Sequence, residues 1–287
     1  MKPQRLTITS GYAHSFSARC DLQPDINNSW HYHDELELIY FKNGGGTQFI
    51  GDSISNFGNG DVVLVGSNLP HFWQYDAAYF TDRFTHPVEV YVVHFSKDFW
   101  GEAFLSLPEN REIARLIERS KRGISLKGDT RNMVAGLLKK ITEAEGTRRL
   151  LHLLEALQET ANCKEADYLA SFGFKTDFAE HERDRIHFIY NYTITNYKKK
   201  IGLREIAEVA KISPNSFCKF FKSRTGKTYS FFTNEIRVGH ACRLLIENKL
   251  NIKEICYECG FNNFVSFHKT FKDITGMTPL KYQKIHF

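Results

Sequence analysis

Residues 203–228 read LREIAEVAKISPNSFCKFFKSRTGKT, and residues 252–278 read IKEICYECGFNNFVSFHKTFKDITGMT. The second stretch repeats the first. Glu205 and Ile206 match Glu254 and Ile255. Further on, Ser216, Phe217, Lys219, Phe221, Lys222, Thr225 and Gly226 match Ser266, Phe267, Lys269, Phe271, Lys272, Thr275 and Gly276. The offset grows by one residue between these two blocks, so the second copy has a turn one residue longer. Self-similarity of this kind marks a duplicated supersecondary unit.

In the first copy Leu203, Ile206, Ala207 and Ala210 fall on one helical face. Ser213 followed by Pro214 is a helix N-cap with proline at the first helical position, so a second helix starts there. Phe217, Phe220 and Phe221 form its expected buried stripe, Asn215, Ser216, Cys218, Lys219 and Lys222 project elsewhere, and Thr225-Gly226 ends it. Two short helices with a tight turn, the second polar and basic on its outer side, predict a helix-turn-helix. In the second copy Asn262 or Asn263 caps a helix with Phe267 and Phe271 inward and Phe264, Val265, Ser266, His268 and Lys269 outward. Phe264 and Val265 there suit contact with thymine methyl groups. An α-hairpin with no role on DNA has the same outline, and duplication together with charge weighs against it.

The charge is unevenly divided. Residues 181–287 hold 19 Lys and Arg against 9 Asp and Glu, a net +10, and residues 1–180 hold 19 against 24, a net −5. A polyanion-binding module joined to one that does not bind polyanions has this asymmetry, as does a merely solvated basic face. At 287 residues two domains are expected. The N-terminus has no basic-then-apolar signal segment and no run is long enough to span a membrane, so a cytoplasmic protein is expected. Six irregularly spaced cysteines argue for reduced thiols. Cys256-x-x-Cys259 has no second pair and falls on the inner face of a helix, where two small buried hydrophobes are expected.

From Trp30 to Phe95 short runs such as ELELIYF, TQFI, DVVLV and EVYVVHF alternate with NGGG and GNGD, the chemistry of strands and turns in a compact antiparallel barrel or sandwich. Beyond Pro108 the period becomes helical, over 111–122, 130–145 and 147–161. Leu150, Leu154, Leu157 and Ala161 make a heptad-like seam, either a dimerisation face or the side packed on the barrel. Residues 162–183, including Gly173, lose periodicity and suggest the connection between modules.

The S-P-N-S-F-x-x-x-F-K-x-x-x-G-K-T and F-x-x-x-F-K-D-I-T-G-M-T-P elements resemble the AraC/XylS transcription regulators, over residues 185–286. The resemblance includes the long helix FFTNEIRVGHACRLLIEN and the closing TPLKYQK. It implies two recognition helices, near 214–224 and 263–273, entering successive major-groove faces of one side of DNA. Lys211 departs from the family, which often has Gly in this turn.

His31, His33 and Glu37 stand in H-x-H-x-x-x-E, with Gly44 after them, Gly60 in a turn, and His71 beyond. On a strand the first three share parity and one face. This resembles the two cupin motifs, and cupin-like barrels are the usual N-terminal sensor of the family. Asp25 sits where the first motif has its leading Gly, and Gly66, Asn68 and Tyr75 replace Pro, Gly and Asn of the second. A transition-metal shell, a polar cluster that hydrogen-bonds a small molecule and a satisfied core all fit these residues. Trp30, Trp73, Tyr75, Tyr91 and His94 are further candidates for the pocket lining, or ordinary core.

The expected architecture is α+β. A cupin-like antiparallel β-barrel with a helical layer, for effector binding and dimerisation, spans 1–165, a linker 166–183, and an all-α domain with two helix-turn-helix units 184–287. The expected function is sequence-specific regulation of transcription in response to a small molecule, with a metal-dependent cupin enzyme fused to a DNA-binding module as the rival. His31, His33, Glu37, His71 and Trp73 are the candidate effector-binding residues. Asn215, Ser216, Cys218, Lys219, Lys222, Phe264, Val265, Ser266, His268 and Lys269 are the candidate DNA-binding residues. No catalytic residue, metal ligand or cofactor is assigned. Expected partners are double-stranded DNA, a small-molecule effector with sugars among the candidates, a second copy of the chain and RNA polymerase. The direction of regulation stays open.

Overall fold

Alternation in ELELIYF places Leu36 and Leu38 on one strand face and Glu37 and Ile39 on the other, and in the computed structural model both faces are buried. The structure describes residues 4–8, 14–24, 30–76, 78–81, 87–101, 103–171, 174 and 180–286. They divide into two compact units, an N-terminal one mainly from residues 4–172 and a C-terminal one mainly from 173–287.

The N-terminal unit contains β1 (Gln4–Arg5), β2 (Ser17–Asp21), β3 (His31–Tyr32), β4 (Leu36–Asn43), β5 (Gly46–Ile50), β6 (Ser53–Phe57), β7 (Val62–Val65) and β8 (His71–Tyr75). It continues with a helical turn, α1 (Ala78–Thr81), then β9 (Glu89–Phe95), α2 (Arg111–Ser120), β10 (Ile124–Leu126), α3 (Gly128–Glu143), α4 (Gly146–Asn162) and β11 (Ala166–Tyr168). One sheet runs β1-β3-β8-β5-β6 and the other β11-β10-β7-β4-β9-β2. The expected antiparallel pattern holds, with β1 joining β3 in parallel.

The six-stranded sheet turns Leu36, Leu38, Val62, Leu64, Tyr91, Val93 and Phe95 toward the helices. There they share a core with Leu116 of α2, Val134 and Leu138 of α3, and Leu153 and Leu157 of α4. A helical layer covering an apolar sheet face is how both elements bury their hydrophobic sides. Leu157 and Ala161 of the heptad-like seam belong to this core, while Leu150 is exposed and Leu154 half-buried. The seam as a whole is therefore no single outward stripe. Residues 166–168, expected in the linker, instead form β11 against β10. Gly173 and Asp25 lie outside the described residues.

The C-terminal unit holds α5 (Glu180–Asn196), α6 (Leu203–Val209), α7 (Pro214–Thr225), α8 (Tyr229–Glu247), α9 (Ile252–Glu258), α10 (Phe264–Thr275) and α11 (Pro279–His286). α8 is the spine. Near its start Phe232 packs with Tyr190, Phe221 and, across Phe221, Phe217. Near its end Val238, Ala241, Cys242 and Leu245 pack with Ile255, Cys256, Cys259, Phe261, Phe267 and Phe271. Cys256 and Cys259 are fully buried, as expected of small hydrophobes. Among the described residues no helix is long and apolar enough to cross a membrane.

Candidate nucleic-acid interface and barrel cluster

The two repeats share the hydrogen bonds of their turns and of the caps on their second helices. At the turn, Ile212 N–H donates to Ala207 O at 3.0 Å, and Phe261 N–H to Cys256 O at 3.1 Å. Lys211, at φ 53°, and Gly260, at φ 80°, hold the same left-handed position. Ser213 Oγ caps α7 by accepting from Ser216 N–H, and Asn263 Oδ1 caps α10 by accepting from Ser266 N–H at 2.9 Å. Asn263, rather than Asn262, is the cap. Gly226 and Gly276 end the two helices at φ 73° and 77°. These caps satisfy backbone groups that a short helix otherwise leaves open.

With Phe217 and Phe221 buried, α7 leaves Asn215, Ser216, Cys218, Lys219 and Lys222 exposed. Phe220, expected in the buried stripe, is half-buried, with the Arg224 guanidinium 5.9 Å from its ring centroid. Leu203 is also exposed, because it is the first residue of its helix. On α10, Phe267 and Phe271 face the core, Val265 is 76% exposed and Phe264 38%. Ser266 and Lys269 are exposed, whereas His268 is half-buried with its ring centroid 4.5 Å from that of Phe264. The two copies are tied by Arg237 of α8, which donates to Tyr197 O at 2.9 Å and Lys199 O at 3.0 Å and lies 5.6 Å from the Phe261 ring centroid.

In the N-terminal unit, His31, His33, Glu37 and His71 converge, all at most 1% exposed. The first three do not share one strand face, as parity on a single strand would have it, and they meet by a different geometry. His31 ends up beside His71 because β3 and β8 are neighbours in the five-stranded sheet with those two residues in register. Glu37 lies opposite His94 in the six-stranded sheet, where β4 pairs with β9. His33 sits between β3 and β4, so the cluster draws on both sheets.

Glu37 Oε2 is the hub, with His33 Nε2 at 3.0 Å, His71 Nε2 at 3.1 Å and His94 Nε2 at 3.0 Å. The far nitrogens are also engaged. His33 Nδ1 lies 3.0 Å from Glu35 O, His71 Nδ1 2.7 Å from Leu69 O, and His94 Nδ1 3.2 Å from an Arg19 guanidinium nitrogen. Arg19 Nε in turn donates to both Asp21 carboxylate oxygens at 3.0 Å. Burial raises the cost of charge on Glu37, yet the nitrogens of His94, His33 and His71 hold its carboxyl well below the usual range. On His33 burial opposes the charged form, and the bond and charge of Glu37 outweigh it, so its pKa is raised. Burial dominates at His94 and lowers it. His31, His33, Glu37 and His71 each offer a ligand atom within 4.8 Å of the others, a set able to hold a metal ion.

A small cleft beside the hub is lined by Asp21, Glu37, Trp73, Tyr75, Val90 and Val92 among others. Trp73 Nε1 and Glu37 Oε1 are buried there without a hydrogen-bond partner among the described residues. Of the residues left open between pocket lining and ordinary core, two belong to the core. Tyr91 points outward into the helical core, since strand alternation gives it the face opposite Val90 and Val92, and its hydroxyl donates to Glu89 at 2.7 Å. Trp30 packs edge-on against Phe72, on the face of β8 opposite His71 and Trp73. Arg19 and Asp21 were absent from the sequence reading. Their signal was two opposite charges at i and i+2, on one face of SARCD.

Family models match both units, an AraC-like ligand binding domain over residues 22–161 and a helix-turn-helix domain over residues 206–285. The uncharacterized HTH-type transcriptional regulator YdeC of Bacillus subtilis is 29% identical over 117 residues, 40% of each chain. The HTH-type transcriptional activator RhaS of Pectobacterium atrosepticum is 22% identical over 87% of this chain and 85% of its own. ToxT from Vibrio cholerae aligns over 94% of this chain and 98% of its own, at 14% identity and a TM-score of 0.37. The matches to the first curated relatives thus span about two fifths of those proteins or less. With a ligand-binding module followed by a helix-turn-helix module in one sequence, the chain belongs to the AraC/XylS family of transcription regulators.

Proposed function

We propose that this protein binds a specific DNA site through α7 and α10 and changes its occupancy of that site when a small effector enters the N-terminal barrel. No catalysis is involved. The observation that carries the reading is the duplication itself, two equivalently capped helices presenting exposed polar and basic faces from one unit of net +10 charge. Asn215 and Lys219, one turn apart and away from the Phe217 and Phe221 stripe, are assigned to base edges, adenine for Asn and guanine for Lys. Ser216 and Cys218 flank them. Lys222, near the helix end, is assigned to phosphate. On α10 Phe264 and Val265 meet thymine methyls, with Ser266, His268 and Lys269 completing the contact.

The effector is assigned to the side of the barrel holding His31, His33, Glu37, His71 and Trp73. Coupling then requires that it bind the DNA-competent and incompetent states with different affinity. Two copies acting together, contact with RNA polymerase and a cytoplasmic location accompany this reading. The exposed Leu150 and Leu151 of α4 give a second copy apolar surface to meet.

Binding-site selection with the full chain tests the assignment. Asn215→Ala is expected to cost about 1 to 3 kcal/mol at the preferred site and flatten preference at one or two positions. Lys222→Ala is expected to weaken all sequences alike. If Lys222→Ala altered the selected motif while Asn215→Ala left it intact, reading and anchoring residues would be exchanged.

A further inference from the structure

The two helix-turn-helix copies agree at the cap, the phenylalanine stripe and the helix end, and they part at the turn. Lys211 and Gly260 hold the same left-handed position, yet only the second is glycine. The reason lies outside the repeats. A Cβ at 260 would stand 2.6 Å from Lys198 O and 2.7 Å from Tyr197 O, so the second turn packs on the backbone that follows α5.

That backbone, residues 197–199, reaches both copies. Lys198 Nζ lies 2.9 Å from Glu258 Oε2 of α9, and Lys199 Nζ lies 2.9 Å from Glu205 Oε1 of α6. Neighbouring side chains thus hold opposite repeats. Both ion pairs are open to solvent and contribute little alone.

The firmer grip comes from α8. Arg237 Nε–H donates to Tyr197 O at 2.9 Å and its Nη2 donates to Lys199 O at 3.0 Å, while the guanidinium lies 5.6 Å from the Phe261 ring centroid. A cationic donor on carbonyls just past a helix end gains from charge assistance and from the helix dipole. One turn along α8, buried His240 lies flat on Tyr197, with ring centroids 4.2 Å apart and planes 2° from parallel. Between Arg237 and His240 stands Gly239, and glycine at mid-helix leaves the backbone least restrained. The same tyrosine is therefore clamped from either side of the point where the spine bends most easily.

We propose that residues 197–199, gripped by Arg237 and His240, are the gauge that sets the separation of α7 and α10, with Arg237 as a positioning residue for half-site spacing on DNA. This rests on the assignment of α7 and α10 to DNA. α8 carries one repeat near each end, so a bend at Gly239 swings one recognition helix relative to the other. Inserting one base pair moves the second half-site by about 3.4 Å and turns it by about 35°. Hydrogen bonds to base edges, about 3 Å long, cannot follow such a step. A clamped spine reads one spacing, and a loosened spine reads several.

The test uses the full chain and the duplex obtained by selecting wild-type binding sites from a random library. Asn215→Ala and Lys269→Ala identify the half read by each helix, and duplexes with one base pair added or removed between the halves are then compared with the parent. The wild type is expected to lose about 10- to 100-fold in affinity on either altered spacing, the worth of the base contacts forfeited in one half. Arg237→Ala should cut that penalty to about 3-fold or less, Arg237→Lys should fall between, and Gly260→Ala should shift or broaden the preferred spacing. Near-ultraviolet circular dichroism and thermal melts identify the folded variants, and the ratio between spacings is the readout because lost stability lowers affinity on all duplexes alike. An Arg237 that only touched phosphate would give an unchanged ratio and a salt slope shallower by about 1, which would overturn the proposal. So would a wild type indifferent to the inserted base pair, or wild-type ratios in folded Arg237→Lys and Gly260→Ala. Those results leave a selected site, and the DNA-binding reading, standing. Failure of the wild type to select any site sinks that reading and the gauge together.

Discussion

Lys211 and Gly260 occupy equivalent turn positions at φ 53° and 80°, a region in which a side chain costs about 1 kcal/mol or more. Lys211 is exposed, so its side chain meets nothing that compensates. Lys211→Gly is therefore expected to stabilise the chain by up to about 1 kcal/mol, the relief of strain being partly offset by the freer unfolded chain. Gly260→Ala should do the reverse and more, because a Cβ there would stand 2.6 Å from Lys198 O and 2.7 Å from Tyr197 O. Calorimetric Tm values decide the pair, and equal shifts would contradict the asymmetry. His240 gives a second residue-scale prediction. Its ring stacks on Tyr197 at 4.2 Å, neither nitrogen has a hydrogen-bond partner among the described residues, and burial, with Arg243 and Lys198 adding to it, pushes its pKa down to about 3. The unfolded chain takes up that proton near pH 6.5. Stability from neutral His240 is thus fully present above pH 6.5 and lost toward pH 3, with a slope of about 1.4 kcal/mol per unit. Subtracting the acid limb of His240→Phe from that of the wild type should isolate this slope, and identical limbs would refute it.

The caps belong to the scale of elements. Asn263 Oδ1 holds the N-terminus of α10, the turn that carries Phe264, Val265 and Ser266. Asn263→Ala is expected to cost about 1 kcal/mol of stability and to fray the turn assigned to thymine methyls. DNA affinity should fall by more than stability alone explains. A variant that loses stability with unchanged affinity would remove that turn from the interface. These elements were legible in sequence because a cap, a turn and a phenylalanine stripe are local, and duplication shows each twice. The barrel was legible only in part. Strand and turn chemistry reveals that ELELIYF is a strand, and parity reveals which residues share its face, but neither says which strand lies alongside. His31 and Glu37 belong to different sheets, and Glu37 meets His94 through a register 57 residues away in the chain. The same limit left Tyr91 open between pocket and core, since the helices that claim its face lie beyond Pro108.

Across the whole molecule charge and chemistry are segregated, with +10 in residues 181–287 and −5 in the rest. The negative module carries a buried cluster of imidazoles and a carboxylate, the positive one two exposed helix faces. DNA carries about one charge per 1.7 Å, and each neutralised phosphate releases a condensed counterion, so log affinity should fall linearly with log salt at about −0.9 per phosphate. Lys219, Lys222, Lys269 and Lys272 are all exposed on α7 and α10. With other cations of the unit they make a slope of roughly −4 to −6 the expectation for the full chain on its selected site. Lys222→Ala should shallow this slope by about 1, whereas Asn215→Ala should lower affinity at every salt concentration without changing the slope. Glu37→Gln, a substitution in the N-terminal unit, should likewise leave the slope untouched even where it alters the response to a ligand. Affinity measured by fluorescence anisotropy at several salt concentrations separates the three. A flat salt dependence in the wild type would deny the basic module its role, and a slope altered by Glu37→Gln would mean that the negative module also takes part in neutralising the DNA.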